Sequence, residues 1–294
     1  MSIYILSPLF NGLFSAMVVF LFATGLALIF GILRVLNFAH GGFFMIGAYV
    51  AFSLVALFGA GDSIWAYLLI SATSGIVLGL IGLVVERFVF RPLQKVDESY
   101  SLIATYALLL LTEGAVKAIW GVAFESVAVP SALASMVTAG DVFMPVYAIF
   151  IIFLGFVVYA LLEWVLQRTE TGKLAQSVAI DPWMAQILGV NVPRFYTWIV
   201  VLGFFLAGIA GGLLLPNQTI SPNLASVFVV QAFGVLIVGG MGNIRGTFLA
   251  AILLCVIDSF GSVYFPEVPG MLFYIAMAVM LLFRPQGLIS GARL

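Results

Sequence analysis

Apolar runs of about twenty residues, set apart by short polar breaks, recur along all 294 residues of the chain. A bilayer's hydrocarbon core is about 30 Å thick and takes about 20 apolar residues per helix. On that measure the runs predict nine membrane spans, near 9–32, 38–58, 64–86, 99–120, 143–166, 194–215, 224–241, 246–265 and 268–284. The seventh is short and glycine-rich, which leaves a broken or re-entrant segment open beside a simple crossing. Composition agrees: 64% of residues are hydrophobic, 8% are charged and the mean hydropathy is +1.25, more apolar surface than one soluble core buries. The expected fold is an all-α polytopic helix bundle of eight or nine transmembrane segments with broken or re-entrant helices, a single membrane domain over residues 1–294. Met1-Ser2-Ile3-Tyr4 lacks the basic stretch of a cleavable signal, so the first span is expected to stay as an anchor. Cys255 is alone, which rules out an intrachain disulfide, and His40 cannot build a metal cluster alone.

Lysine and arginine are retained on the cytoplasmic side of a membrane. Nine alternating crossings from an outside N-terminus gather Arg34, Arg87, Arg91, Lys95, Arg168, Lys173, Arg194, Arg245, Arg284 and Arg293 on one side and leave only Lys117 toward the other. The C-terminus is then inside. The longest outer connection, Gly121–Pro145, carries Glu125 and Asp141 with Pro130 and Pro145 and no basic residue. The longest inner one, about 167–193, has the pattern of a helical hairpin: a short helix over Lys173–Ile180, then Asp181 as N-cap with Pro182 at the first helical position. Trp183, Met184, Ile187 and Leu188 give the second helix an apolar face, and Gly189 is placed to stop it before Val192-Pro193. A hairpin on lipid headgroups and a docking surface both fit. Docking is favoured, because an interfacial helix usually shows several basic residues on its polar face and none falls between Lys173 and Arg194.

Two polar, glycine-containing interruptions stand out. Leu33 to Phe43 contains Asn37, His40, Gly41 and Gly42; Gly239 to Gly246 contains Gly239, Gly240 and Asn243. A helix broken at such a place exposes backbone donors and acceptors that line a path or hold a turn, so these residues are candidates for a pathway or gate. An internal repeat and two unrelated cytoplasmic turns are both compatible with the pair. In the sixth span Gly203, Ala207 and Gly211, beside Gly208 and Gly212, are expected to pack helices closely.

Embedded charges mark ion pathways by default, and here they are few. Glu113 and Lys117 are spaced to neutralise each other, Asp258 suits a hydrogen-bonded structural role near the outer end of its helix, and Glu86 with Arg87 suits an interfacial anchor. An intramembrane enzyme lacks its constellation: no HExxH, no plausible aspartate pair and no serine–histidine set beyond His40. Gly172-Lys173 precedes Leu174 without a phosphate loop, so the chain is no ATPase by itself. An importer subunit powered from outside the chain and an ion-coupled secondary transporter remain, and the folded inner loop favours the first.

Gly25 through Gly41, with its run Arg34-Val35-Leu36-Asn37-Phe38-Ala39-His40-Gly41, resembles the N-terminal signature of the LivH-type permeases of branched-chain amino acid ABC importers. Glu86-Arg87 to Arg91-Pro92-Leu93, Ala179 to Val192 with Arg194, Phe204 to Gly212, Gly239 to Gly246 and Phe283 to Leu288 are similar to further stretches of that family, in order along nearly the whole chain. The resemblance implies a permease in the bacterial inner membrane that pairs with a second, LivM-like permease. It also implies a periplasmic solute-binding protein and two cytoplasmic ABC ATPases that hold ATP and magnesium, with no cofactor and no catalytic residue in this chain and no nucleic acid partner. Ala179, Asp181, Met184, Ala185, Leu188 and Gly189 are then the ATPase-coupling candidates. The solute it implies is a branched-chain amino acid or a related small polar molecule.

Overall fold

The computed structural model describes residues 3–59, 63–94, 96–139 and 142–289; Lys95, Asp141 and Arg293 lie outside the described residues. The helices are α1 (Ile3–Leu33), α2 (Ala39–Phe58), α3 (Ile64–Val85), α4 (Arg91–Leu93), α5 (Glu98–Trp120), α6 (Val146–Arg168), α7 (Glu170–Ile180), α8 (Pro182–Ile187), α9 (Val192–Leu214), α10 (Leu224–Gly239), α11 (Ile244–Tyr264) and α12 (Met271–Phe283). Seven helical stretches among the described residues are long and apolar enough to cross a membrane, and α10 and α12 are shorter apolar helices. The chain is therefore an all-α polytopic membrane protein. A small antiparallel hairpin, β1 (Met136–Ala139) with β2 (Val142–Pro145), lies in the Gly121–Pro145 connection and was not anticipated.

Close contacts order the bundle. α1 is central, with 89% of its apolar window buried, while α5 and α6 are each 22% buried and stand at the periphery. α9 packs against α1, α2 and α3, and its small-residue stripe makes this possible: Gly208 lies against Gly75 and Gly211 against the carbonyl of Phe44. Ser74 ties the same three-helix seam, its hydroxyl donating to the carbonyl of Gly47 at 2.6 Å. The stripe does the packing expected of it.

The ends of the bundle differ in charge. At one end Arg34 meets the α7–α8 hairpin, Arg91 and Arg194 stand after α3 and at the start of α9, and Arg245 follows the α10–α11 turn. At the other, Glu125 pairs its backbone with Ile220 in both directions, at 3.0 and 2.8 Å.

α3 runs on into a π-helical turn, Glu86–Phe90. The wider turn sets Glu86 and Arg91, five residues apart, side by side: Arg91 Nε and Nη2 donate to the two Glu86 oxygens at 3.1 and 3.0 Å, and Thr197 of α9 donates to the same carboxylate at 3.0 Å. Glu86 is 1% exposed. It is thus a buried link between α3 and α9 rather than an anchor with Arg87, because the π-turn rotates it inward.

Candidate functional site

The interruption after α1 is the most unusual backbone in the molecule. Arg34 reverses the chain at φ 57°, the one non-glycine residue with positive φ among those described, a conformation that costs about 1–2 kcal/mol for an L-residue. Residues 35–38 then climb back along α1 without regular structure. The Leu36 carbonyl accepts from Thr105 of α5 at 3.2 Å, and His40 Nε2–H donates to the carbonyl of Phe22 at 3.2 Å. Phe22 lies eleven residues before the end of α1, about 16 Å at 1.5 Å per residue. α2 therefore begins near mid-depth, and the interruption is not a turn at the membrane surface.

Its polar groups are enclosed. Asn37 and His40 are both fully buried, and neither amide atom of Asn37 nor Nδ1 of His40 has a protein partner. Since Nε2 of His40 carries the donated proton, Nδ1 is left as an acceptor without a donor. Unpaired buried polar groups each cost about 1–3 kcal/mol. His40 also stacks on Phe22, with centroids 5.1 Å apart. Gly41 and Gly42 let this first turn seat itself, Gly41 against the Ala225 carbonyl of α10 and Gly42 against Thr112 of α5.

The second interruption is a compact turn. Gly240 and Gly242 take φ 103° and 84°, Asn243 Oδ1 accepts from Gly246 N at 3.0 Å as the N-cap of α11, and Gly239 and Gly246 bring α10 and α11 into backbone contact. Residues 284–288 fold back over it, with Leu288 N donating to the Val238 carbonyl at 2.7 Å. Arg245 of the next turn pairs with Glu163 of α6.

In the hairpin, Asp181 Oδ1 accepts from Trp183 N at 3.0 Å and Met184 N at 2.9 Å, capping α8, and Gly189 at φ 91° follows its end. α7 starts at Glu170, three residues earlier than the pattern suggested, because Thr169 caps it through Gly172 N. Ala179 and Ala185 are buried packing residues, whereas Met184 and Leu188 are exposed together with Ile180, Trp183 and Ile187. An end-of-bundle loop thus presents an apolar patch to the surroundings. Arg34 joins this hairpin to the first interruption: its Nη2 donates to the Ala179 carbonyl at 3.1 Å.

A third feature escaped the sequence. α10, about 24 Å long for its 16 residues, is shorter than a bilayer core of about 30 Å, as the short seventh run suggested, and irregular backbone precedes it after α9. Such backbone is tolerated where it lines a polar cavity, and one of about 440 Å³ is there, bearing Asn11, Ser15, Asn217, Gln218, Gln231 and Asp258. Asp258 Oδ1 accepts from Phe273 N at 3.2 Å, capping the first turn of α12. Asn11 and Ser15, one turn apart in an apolar helix, were the available signal. No ion pair joins Glu113 and Lys117 among the described residues, and Lys117 is exposed.

Comparison with known proteins places the chain among transport permeases. The sequence profile described as "Branched-chain amino acid transport system / permease component" matches residues 8–283. The chain is 29% identical over 295 residues to the high-affinity branched-chain amino acid transport system permease protein BraD of Pseudomonas aeruginosa, covering 97% of this chain and 95% of that one. It is 26% identical over 298 residues to the permease protein LivH of Escherichia coli K12, covering 98% and 96%. To the probable branched-chain amino acid transport permease protein LivH of Methanocaldococcus jannaschii it is 29% identical over 290 residues, covering 91% and 87%.

Proposed function

The chain belongs to the branched-chain amino acid transport permease family, and from that premise we propose that it carries branched-chain amino acids, or a related small polar solute, through a path whose inner gate is the start of α2. It is a permease subunit of an ABC importer and not an enzyme. The solute class is supported by the branched-chain amino acid transport of the relatives BraD and LivH. The same premise supports a solute-binding protein, a second, LivM-like permease and two ATPases that hold ATP and magnesium. The gathering of arginines at the hairpin end supports a cytoplasmic hairpin and C-terminus, a periplasmic N-terminus and an inner-membrane location. Residues 1–294 form one permease domain in this account, with 167–193 as its coupling segment.

The Arg34–Ala179 bond carries the mechanism. ATPase subunits dock on the apolar patch around Met184 and Leu188, with Asp181 and Gly189 fixing the shape of α8 and Ala179 and Ala185 seating the hairpin. Movement of the hairpin pulls Arg34, which holds the chain reversal, and so shifts Asn37, His40, Gly41 and Gly42. Gly239, Gly240 and Asn243 anchor the far end of the wall they move against, because α10 contacts Gly41 at its start and is locked to α11 at its end.

The test is reconstitution with the binding protein, partner permease and ATPases in liposomes. Leucine uptake is expected to depend on ATP and on the binding protein, and Arg34→Ala is expected to cut uptake about tenfold while ATP hydrolysis persists. Gly189→Val, which forces a β-branched residue into the left-handed region, is expected to uncouple in the same way. Uptake driven by a proton gradient without ATP would overturn the function, and normal coupled uptake by both variants would overturn the linkage.

A further inference from the structure

Where α3 and α9 meet, the outer surface of the bundle has an apolar groove of about 540 Å³ that neither the gate nor the coupling hairpin uses. Gly79 forms its floor. A Cβ there meets nothing nearer than Val201 at 3.5 Å, so the missing side chain leaves real space. From Arg194 to Phe205, both lining it, the groove follows eleven residues of α9, about 16 Å, the depth of one leaflet of a hydrocarbon core about 30 Å thick. It is too short to seat a spanning helix.

Polarity is graded along it. The deep end, at Ile76 and Phe205, is wholly apolar. The shallow end lies at the arginine-rich end of the bundle and holds Arg194 beside Trp198, a residue 70% exposed, the pairing typical of headgroup level. The neighbouring Arg91 is taken up by Glu86 and Thr197, while no ion pair engages Arg194 among the described residues. A free guanidinium above a leaflet-deep apolar channel complements a phosphate with an acyl chain attached.

We propose that this groove binds one anionic phospholipid from the leaflet at the arginine-rich end. The phosphate rests on Arg194, and an acyl chain runs over Gly79 toward Ile76 and Phe205. The bound lipid covers the α3–α9 seam, beside the Glu86–Arg91–Thr197 cluster that joins the same two helices.

The test uses the purified, assembled importer in mixed micelles of phosphatidylglycerol and phosphatidylcholine, read by native mass spectrometry. One phosphatidylglycerol is expected to stay bound in preference to phosphatidylcholine. Arg194→Gln is expected to weaken that retention about fivefold, the effect of one basic residue at a lipid surface, and Arg168→Gln, outside the groove, to leave it unchanged. Gly79→Leu, which fills the channel, is expected to abolish retention of either lipid; should it fail to assemble, Arg194→Gln decides alone. Retention by Arg194→Gln equal to that of the unaltered protein would overturn the proposal. So would efficient cross-linking of Leu83→Cys to the second permease subunit in membranes, which would make the groove a protein interface.

Discussion

The two interruptions of the bundle look alike in sequence and are opposites in structure. Between α10 and α11, Gly240 and Gly242 supply the positive φ angles that close a turn, and Asn243 caps the helix that follows. Between α1 and α2 there is no glycine from Leu33 to Ala39. Arg34 must take the left-handed conformation, and the chain stays extended long enough to deliver α2 near mid-depth with Asn37 and His40 enclosed. One break is satisfied and rigid. The other stores strain and unpaired polar groups, which persist where function needs a second state.

The largest effect is expected at the rigid break. Gly246→Val drives a branched side chain into the Gly239 backbone, so a loss of about 3 kcal/mol or more is expected, read as a collapse of folded protein in the membrane. Normal expression and melting would show that the turn is looser than its contacts imply. At the other break the effects of mutation separate stability from transport. Asn37→Leu removes an orphaned amide at similar volume and is expected to raise stability by about 1–2 kcal/mol while cutting uptake severalfold; lowered stability with full uptake would reverse the assignment of strain. His40→Leu gives up the bond to Phe22, and is expected to reduce uptake with assembly intact; unchanged uptake would make His40 a packing residue. The smallest change is Asn243→Ala, a lost helix cap worth about 1 kcal/mol, visible in melting and nearly silent in transport.

Much of the bundle was legible because lipid enforces it. Long apolar runs between polar breaks must become helices, and Asp181-Pro182 with Gly189 announced α8 through local capping chemistry. Depth was not legible. Nothing in Asn37 or His40 tells a surface turn from a buried one, since their level is set by α5 and α1 through Thr105 and Phe22, distant in sequence. The inward turn of Glu86 was hidden for a related reason: a π-turn shifts side-chain phase by one residue, and α-helical spacing alone sets Val89 and Phe90, not Arg91, beside it. The polar cavity at Asp258 is assembled from five separate stretches, so only the isolated polar residues Asn11 and Ser15 hinted at it.

The measurement that bears most directly on a buried, movable gate is thiol accessibility in reconstituted importer, with Cys255→Ser as background. Asn37→Cys is expected to resist a membrane-impermeant maleimide at rest and to label when the ATPases are trapped in the ATP-bound state. Met241→Cys, at the rigid turn where the native side chain is 52% exposed, is expected to label equally in both states. Labelling of Asn37→Cys at rest, or protection in both states, would contradict the account.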